Sequence, residues 1–341
     1  MVAPMVLQLK LWESRSSPIL DRIIKISQYD NKNTNNIKSY PNNNCATQLL
    51  ALGLKDIKLI AHAGAHKTAS THLQNRLLEN ENLFVKSGCY YLGSEKIRDE
   101  FGTLWYALGR SDTPDEQKRK LAALAAGQPR LLISDENIIG GFKDLMNGPN
   151  RATLYPKAIE RLARLAQLVA PNPLHIAMAV REPSSYYVSV YNQLLLSGRF
   201  QTWERFSKGL DPTAVKWSDI LRPIAEIPGV AAVSIWRYED YHRLLPQILN
   251  TLLGQPRPDI PLHMEKRMHE GLSERAVQAC CTWHAAGYSG RLGAVAREGS
   301  PISDAYPKFS PWPEALMRES RAAYGRDIEA LGRAGNITVL E

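Results

Sequence analysis

Cysteine is scarce: the 341 residues contain four, Cys45, Cys89, Cys280 and Cys281, with no C-x-x-C pair. That argues against a zinc site or a disulfide framework, and the four read as reduced thiols of a cytoplasmic protein. Long apolar runs are missing too; none reaches the ~20 residues that span a bilayer. The first residues, MVAPMVLQLKLWESR, have no basic stretch ahead of their apolar part and no convincing cleavage site, so no secretory leader is expected. A strong charge imbalance is absent as well. Forty-two basic residues against 34 acidic leave +8, and half of that excess, seven basic against three acidic residues, falls in residues 1–55. What remains gives little support to a nucleic-acid partner. No internal repeat is visible.

Residues 1–55 differ in composition from the rest. Asp30 to Asn44 reads DNKNTNNIKSYPNNN, with too few apolar side chains to offset the entropy of ordering it. A disordered or loosely docked extension is expected there, followed by one domain over residues 56–341.

The segment Lys58 to Leu73, KLIAHAGAHKTASTHL, organises that domain. Leu59 to Ala63 has a buried-strand pattern, and helical spacing opens at Leu73, Leu77 and Leu78. Between them lie the small residues Gly64 and Ala65, then His66, Lys67, Thr68, Ala69, Ser70 and Thr71. A strand that feeds a helix through a tight loop suits an anion. The first helical N–H groups have no internal partner, and the dipole is positive there. Three hydroxyls and the Lys67 charge add to it. A complete phosphate loop, G-x-x-x-x-G-K-[ST], is nonetheless lacking, because Ala61 and His66 stand at its glycine positions.

Further buried-strand patterns lie at Cys89–Leu92, Arg130–Ser134, Leu174–Val180 and Val230–Trp236, with helical patterns between them. The alternation predicts an α/β fold, a three-layer sandwich around a central parallel sheet. In such a sheet ligands gather at the C-terminal strand ends. RLLIS ends there in Asp135, Glu136 and Asn137. LHIAMAV ends in Arg181-Glu182-Pro183, with Pro183 placed to open a helix.

Lys67, Thr68, Ser70 and Thr71 resemble the 5′-phosphosulfate loop, approximately K-[ST]-G-[ST]-[ST], of sulfotransferases that use 3′-phosphoadenosine-5′-phosphosulfate (PAPS). Ala69 stands where that loop has glycine. His66 before it and Leu73-Gln74 after it resemble the bacterial and carbohydrate-directed branch. The second motif of the family is an arginine at a strand end with a serine eight residues later; Arg181 and Ser189 have that spacing. A looser likeness covers Glu265 to Arg275, EKRMHEGLSER, where Lys266 or Arg267 matches the loop that closes over the cofactor. The resemblance spans roughly residues 57 to 290.

The resemblance implies a P-loop-like sulfotransferase fold and transfer of a sulfuryl group from PAPS to a hydroxyl or amine of a carbohydrate or small molecule, with release of the 3′,5′-bisphosphate PAP and no metal. It implies that Gly64, Ala65, His66, Lys67, Thr68, Ala69, Ser70 and Thr71 cradle the phosphosulfate, that Arg181 and Ser189 hold the 3′-phosphate, and that Lys266 or Arg267 reaches the 3′-phosphate or the adenine. Lys67 stabilises the leaving oxygen. Glu136 is the first candidate for the base, with His66 and His62 behind it. A P-loop nucleotide kinase and a non-catalytic PAP- or glycan-binding protein stand as alternatives. For the acceptor, Tyr90, Tyr91, Trp105, Tyr106, Tyr186, Tyr187 and Tyr191 either line a platform or pack in the core. The acceptor and the oligomeric state are not legible.

Overall fold

The computed structural model describes residues 57–101, 114–125, 127–141, 154–254, 256, 271–288, 290–333 and 335–341. The expected N-terminal extension, Trp105, Tyr106, Lys266 and Arg267 lie outside them.

The strands are β1 (Lys58–His62), β2 (Cys89–Gly93), β3 (Arg130–Ser134), β4 (Leu174–Val180), β5 (Val230–Arg237) and β6 (Ile337–Val339). They form one sheet in the order β2-β3-β1-β4-β5-β6. Every pairing in it is parallel. The helices are α1 (Ser70–Glu79), α2 (Glu81–Lys86), α3 (Ser94–Phe101), α4 (Pro114–Leu124), α5 (Ala158–Val169), α6 (Pro183–Leu196), α7 (Trp203–Ser207), α8 (Ser218–Ala225), α9 (Tyr241–Leu253), α10 (Glu274–Ala285), α11 (Leu292–Gly299) and α12 (Glu314–Gly332).

Strand periodicity divides the core in two. Leu59 and Ala61 of β1, Leu131 and Ile133 of β3, and Ile176, Met178 and Val180 of β4 pack with α5, α6, α8 and α12. The alternate residues Ile60, Leu132, Ala177, Ala179 and Trp236 pack with Leu73 and Leu77 of α1, Phe84 of α2 and Ile248 of α9. Two residues out of step point to opposite faces, so a sheet buried on both sides needs apolar residues at every position. This is the expected three-layer arrangement. Each fully buried leucine contributes roughly 1.5–3 kcal/mol. Among the described residues no helix is long and apolar enough to cross a membrane.

Two details position the site. β1 lies between β3 and β4 although the chain goes from β1 to β2, so the strand order reverses beside β1 and a crevice opens at its C-terminal end. Pro183 opens α6 as expected, and Glu182 caps it, its carboxylate accepting from the Ser184 and Ser185 N–H groups at 2.9 Å each.

α12 is tied back to this region through three side chains. Ser320 donates to the Glu182 carboxylate, and Tyr324 donates to Glu239 (3.2 Å). Asp327 accepts from the Trp217 N–H (2.7 Å) and from Ser218. The buried Trp217 indole in turn donates to the Arg181 carbonyl (2.9 Å).

Candidate active site

The loop after β1 is held tightly. Ala63 N–H donates to the Ala177 carbonyl (3.0 Å), and the Thr68 hydroxyl donates to the Ala65 carbonyl. A Cβ on Gly64 would sit 2.8 Å from His62 Nε2, so only glycine lets the chain pass that ring. Lys67 and Ala69 both have left-handed backbone, with φ of 64° and 66°. The glycine of the resembled loop is thus replaced at a position where φ is positive, and the alanine carries the strain.

Lys67 and Arg181 meet here. Lys67 Nζ donates to Gln193 Oε1 of α6 (3.0 Å). Arg181, 9% exposed, donates from Nη1 to the Lys67 carbonyl (2.6 Å) and from Nε to Ser185 Oγ (3.1 Å). Its guanidinium lies 4.3 Å from the centre of the Tyr238 ring. It does not make the ion pair with Glu182 that its neighbour in sequence would offer; that carboxylate serves α6 and Ser320 instead. Burial lowers the pKa of Arg181 from its ordinary value. Burial, and then the Arg181 charge, bring the Lys67 amine down to about 8. Two close cations with so much desolvation favour an anion between them.

A cavity of about 500 Å³ opens above these groups. His66, Lys67, Ala69, Ser70, Thr71, Arg181, Ser189 and Glu136 all line it, so loop, strand-end arginine, helix serine and candidate base share one space. Gly64, Ala65 and Thr68 are not on its wall; they shape the loop from beneath. Gln193, Asn137, Arg199, Tyr238, Tyr241, His72 and His242 line it as well. Gln193 was detectable, since it lies one helical turn after Ser189 on the same face. Tyr238, His72 and His242 carry no local signal that marks them.

The candidate bases separate by environment. Glu136, on the short 3₁₀ turn Glu136–Ile138 after β3, accepts from Gln74 Nε2 (2.9 Å), and the Gln74 oxygen accepts from Ser94 (3.2 Å). Asp135 is buried and caps the same turn through Asn137 N–H (2.9 Å); burial raises its pKa. His62 is 1% exposed, hydrogen-bonded to Ser134 (2.8 Å) and stacked near Trp236, and burial lowers its pKa to about 4. It is a neutral packing group and does not line the cavity. For His66, the N–H donates to the Tyr155 hydroxyl (2.7 Å) and Nδ1 lies 3.1 Å from the same oxygen, which also meets Tyr186 (3.0 Å).

The described tyrosines considered for an acceptor platform pack elsewhere. Tyr91, Tyr186, Tyr187 and Tyr191 are buried in the core, and Tyr90 lies under Lys96. The physical reason is the alternation within β2 and the inward face of α6, which direct these rings between sheet and helices. Cys89 and Cys280 are buried free thiols with pKa values pushed up to about 11 and about 12. Among the described residues no group of three or more His, Cys, Asp or Glu side chains is arranged to hold a metal ion.

Fold and site together define a crevice lined by Lys67 and Arg181 at the C-terminal edge of a parallel α/β sheet. No protein-family model and no curated protein sequence matches the chain. Among solved structures, a sulfotransferase from Alicyclobacillus acidocaldarius aligns with 70% of this chain and 96% of its own, at 14% identity and a TM-score of 0.38.

Proposed function

We propose that this chain is a PAPS-dependent sulfotransferase acting on a hydroxyl or amine of a carbohydrate or small-molecule acceptor. The observation that carries the reading is the junction of its two motifs. Arg181 donates to the main-chain carbonyl of Lys67 across 114 positions, and Ser189 lines the same cavity. A 3′-phosphate on Arg181 and a phosphosulfate on the Lys67 loop therefore belong to one donor molecule. Arginine suits the phosphate because its fork can hold two oxygens at once.

In the reaction the sulfur–oxygen bond to PAP breaks as a bond forms between sulfur and the acceptor oxygen. The acceptor proton passes to the Glu136 carboxylate, and the Lys67 ammonium meets the charge that grows on the departing phosphate oxygen. The geometry is in line, as in phosphoryl transfer. Gln193 holds the Lys67 amine at the cavity wall. The kinase alternative needs a strand-end aspartate facing the nucleotide, and Asp135 instead spends its carboxylate on its own turn.

Calorimetric titration with PAP, AMP and magnesium-ATP tests the proposal. PAP binds most tightly in the expected outcome, and Arg181→Ala costs it about 2–5 kcal/mol, the scale for removing one partner of a desolvated charge pair. Equal wild-type affinity for PAP and AMP would refute it. Tight PAP binding without turnover on any acceptor would support the non-catalytic alternative.

A further inference from the structure

Lys67, Arg181 and Glu136 line one cavity of about 500 Å³, so two cations and a carboxylate share a single space. Opposite charges in a partly desolvated cleft attract, and salt screens them less than at the open surface. Yet Glu136 pairs with neither cation. Lys67 Nζ donates to the Gln193 side-chain oxygen (3.0 Å), and Arg181 donates to the Lys67 carbonyl and to Ser185 Oγ. The Glu136 carboxylate accepts from the Gln74 side-chain nitrogen (2.9 Å).

Gln74 can hold the carboxylate in only one way. A carboxylate is an acceptor, so the amide must turn its nitrogen toward Glu136 Oε2 and its oxygen away. That oxygen accepts from Ser94 Oγ (3.2 Å), so both ends are engaged and the amide keeps one orientation. The main chain is tied as well, since the Gln74 carbonyl accepts from the Tyr91 hydroxyl (3.4 Å). Three segments therefore converge on this residue: α1, the end of β2 with the start of α3, and the turn after β3.

Gln74 itself is not on the cavity wall, whereas Ser70 and Thr71, one turn earlier on α1, are. The helix whose first turn faces the cavity thus also fixes the carboxylate, from behind. Glu136 Oε1 has no hydrogen-bond partner among the described residues. The tether engages one oxygen of the carboxylate and leaves the other.

We infer that Gln74, oriented by Ser94, is the positioning residue for Glu136 and holds it apart from Lys67. A neutral amide satisfies one carboxylate oxygen without cancelling the charge. Gln193 does the same for the Lys67 ammonium from the opposite wall. Were the two charges to close on each other, the carboxylate would be turned from the acceptor and the ammonium from the leaving oxygen. The inference rests on the catalytic reading given above.

The test follows turnover of PAPS by the full chain with two probe acceptors, methyl glucoside and 4-nitrophenol supplied as its phenolate. The variants are Gln74→Leu, Ser94→Ala, Glu136→Gln and the double variant Gln74→Leu/Glu136→Gln. On methyl glucoside, Gln74→Leu should lower kcat by roughly 10–10²-fold, the scale for a reacting group misplaced by about an ångström, with the KM for PAPS within about twofold of wild type. Ser94→Ala should lower kcat in the same direction by a smaller factor. The phenolate brings no proton to remove, so on it Gln74→Leu should match the wild type. Added to Glu136→Gln, Gln74→Leu should cost nothing further, because its effect runs through the carboxylate.

A merely structural lesion would slow both acceptors and both backgrounds alike. An unchanged kcat in Gln74→Leu, an equal loss on the phenolate, or an additive loss in the double variant overturns the positioning role alone. Wild-type turnover in Glu136→Gln overturns the assignment of the base and this inference with it, while a preference for PAP over AMP would still stand for the donor site. A wild type that binds PAP yet sulfates neither probe also overturns the inference, by removing the reaction it serves.

Discussion

Raising the pH should switch off donor binding through Lys67. Its amine titrates at about 8, against an ordinary 10.5, because it is desolvated and lies beside Arg181. An anion binds the protonated form. PAP affinity should therefore be level well below pH 8 and fall tenfold per unit above it. At pH 9 roughly one Lys67 in ten is protonated, so Kd should rise about tenfold, and binding should take up nearly one proton. The phosphates of PAP have lost their protons by then, since a phosphate monoester has its second pKa near ~6. Calorimetry at pH 9 in two buffers of different ionisation enthalpy counts the protons directly. The stability of the unliganded protein should move the other way. Between about 8 and 10.5 the unfolded lysine binds more protons than the folded one, so stability from this group rises with pH while ligand affinity drops. Lys67→Arg keeps its charge throughout and should bind PAP without the alkaline limb. Proton uptake near zero at pH 9, with a Kd that does not change, would refute the placement of Lys67 against the anion.

Glu136→Gln should cut turnover on an alcohol or sugar hydroxyl by roughly 10²–10⁴-fold. The amide retains an oxygen for Gln74, so PAP affinity should stay near wild type, and an acidic phenol that arrives deprotonated should restore much of the rate. Near-normal turnover on the alcohol would move the base elsewhere, with His66→Asn as the next variant to assay. Ala69→Gly should stabilise the protein by about 0.5–1 kcal/mol, because glycine accepts the positive φ that alanine bears under strain, partly offset by its freer unfolded chain. Thermal unfolding should show a rise of about 1–4 °C for a domain of this size, whereas a lower melting temperature would mean that the Ala69 methyl contributes more by packing than its backbone costs.

Much of the sheet was legible because each internal strand is a continuous apolar run closed by a polar residue. Arg130–Ser134 and Leu174–Val180 appear within the bounds their composition sets. β6 was not legible: three residues, two of them apolar, carry no period of their own and acquire one by pairing with β5. α8 was hidden by Pro223 within it, and α9 begins three residues before its apolar spacing does, at Tyr241. In the site, Lys67, Arg181 and Ser189 were legible because strand ends and helix starts fix where they point. Tyr238 was not, since it depends on which strand lies beside β4. Tyr155 precedes α5, with φ of 51°, and turns its hydroxyl to His66, a placement no periodicity marks.

The hydrogen bonds from α12 to Glu182, Glu239 and Trp217 bear on how the protein is made. A nascent chain that has emerged as far as α9 holds five of the six strands and both anion motifs. Its Glu182 and Glu239 still lack Ser320 and Tyr324, the edge of β5 is open, and Trp217 has no carboxylate to fix the loop that steadies Arg181. Synthesis at about 5–20 residues per second leaves that half-built site waiting for several seconds. The order of translation thus leaves the crevice at the β1 and β4 ends incompletely braced until the last helix docks, and a partner that covers the β5 edge during that interval would act as a folding chaperone for it.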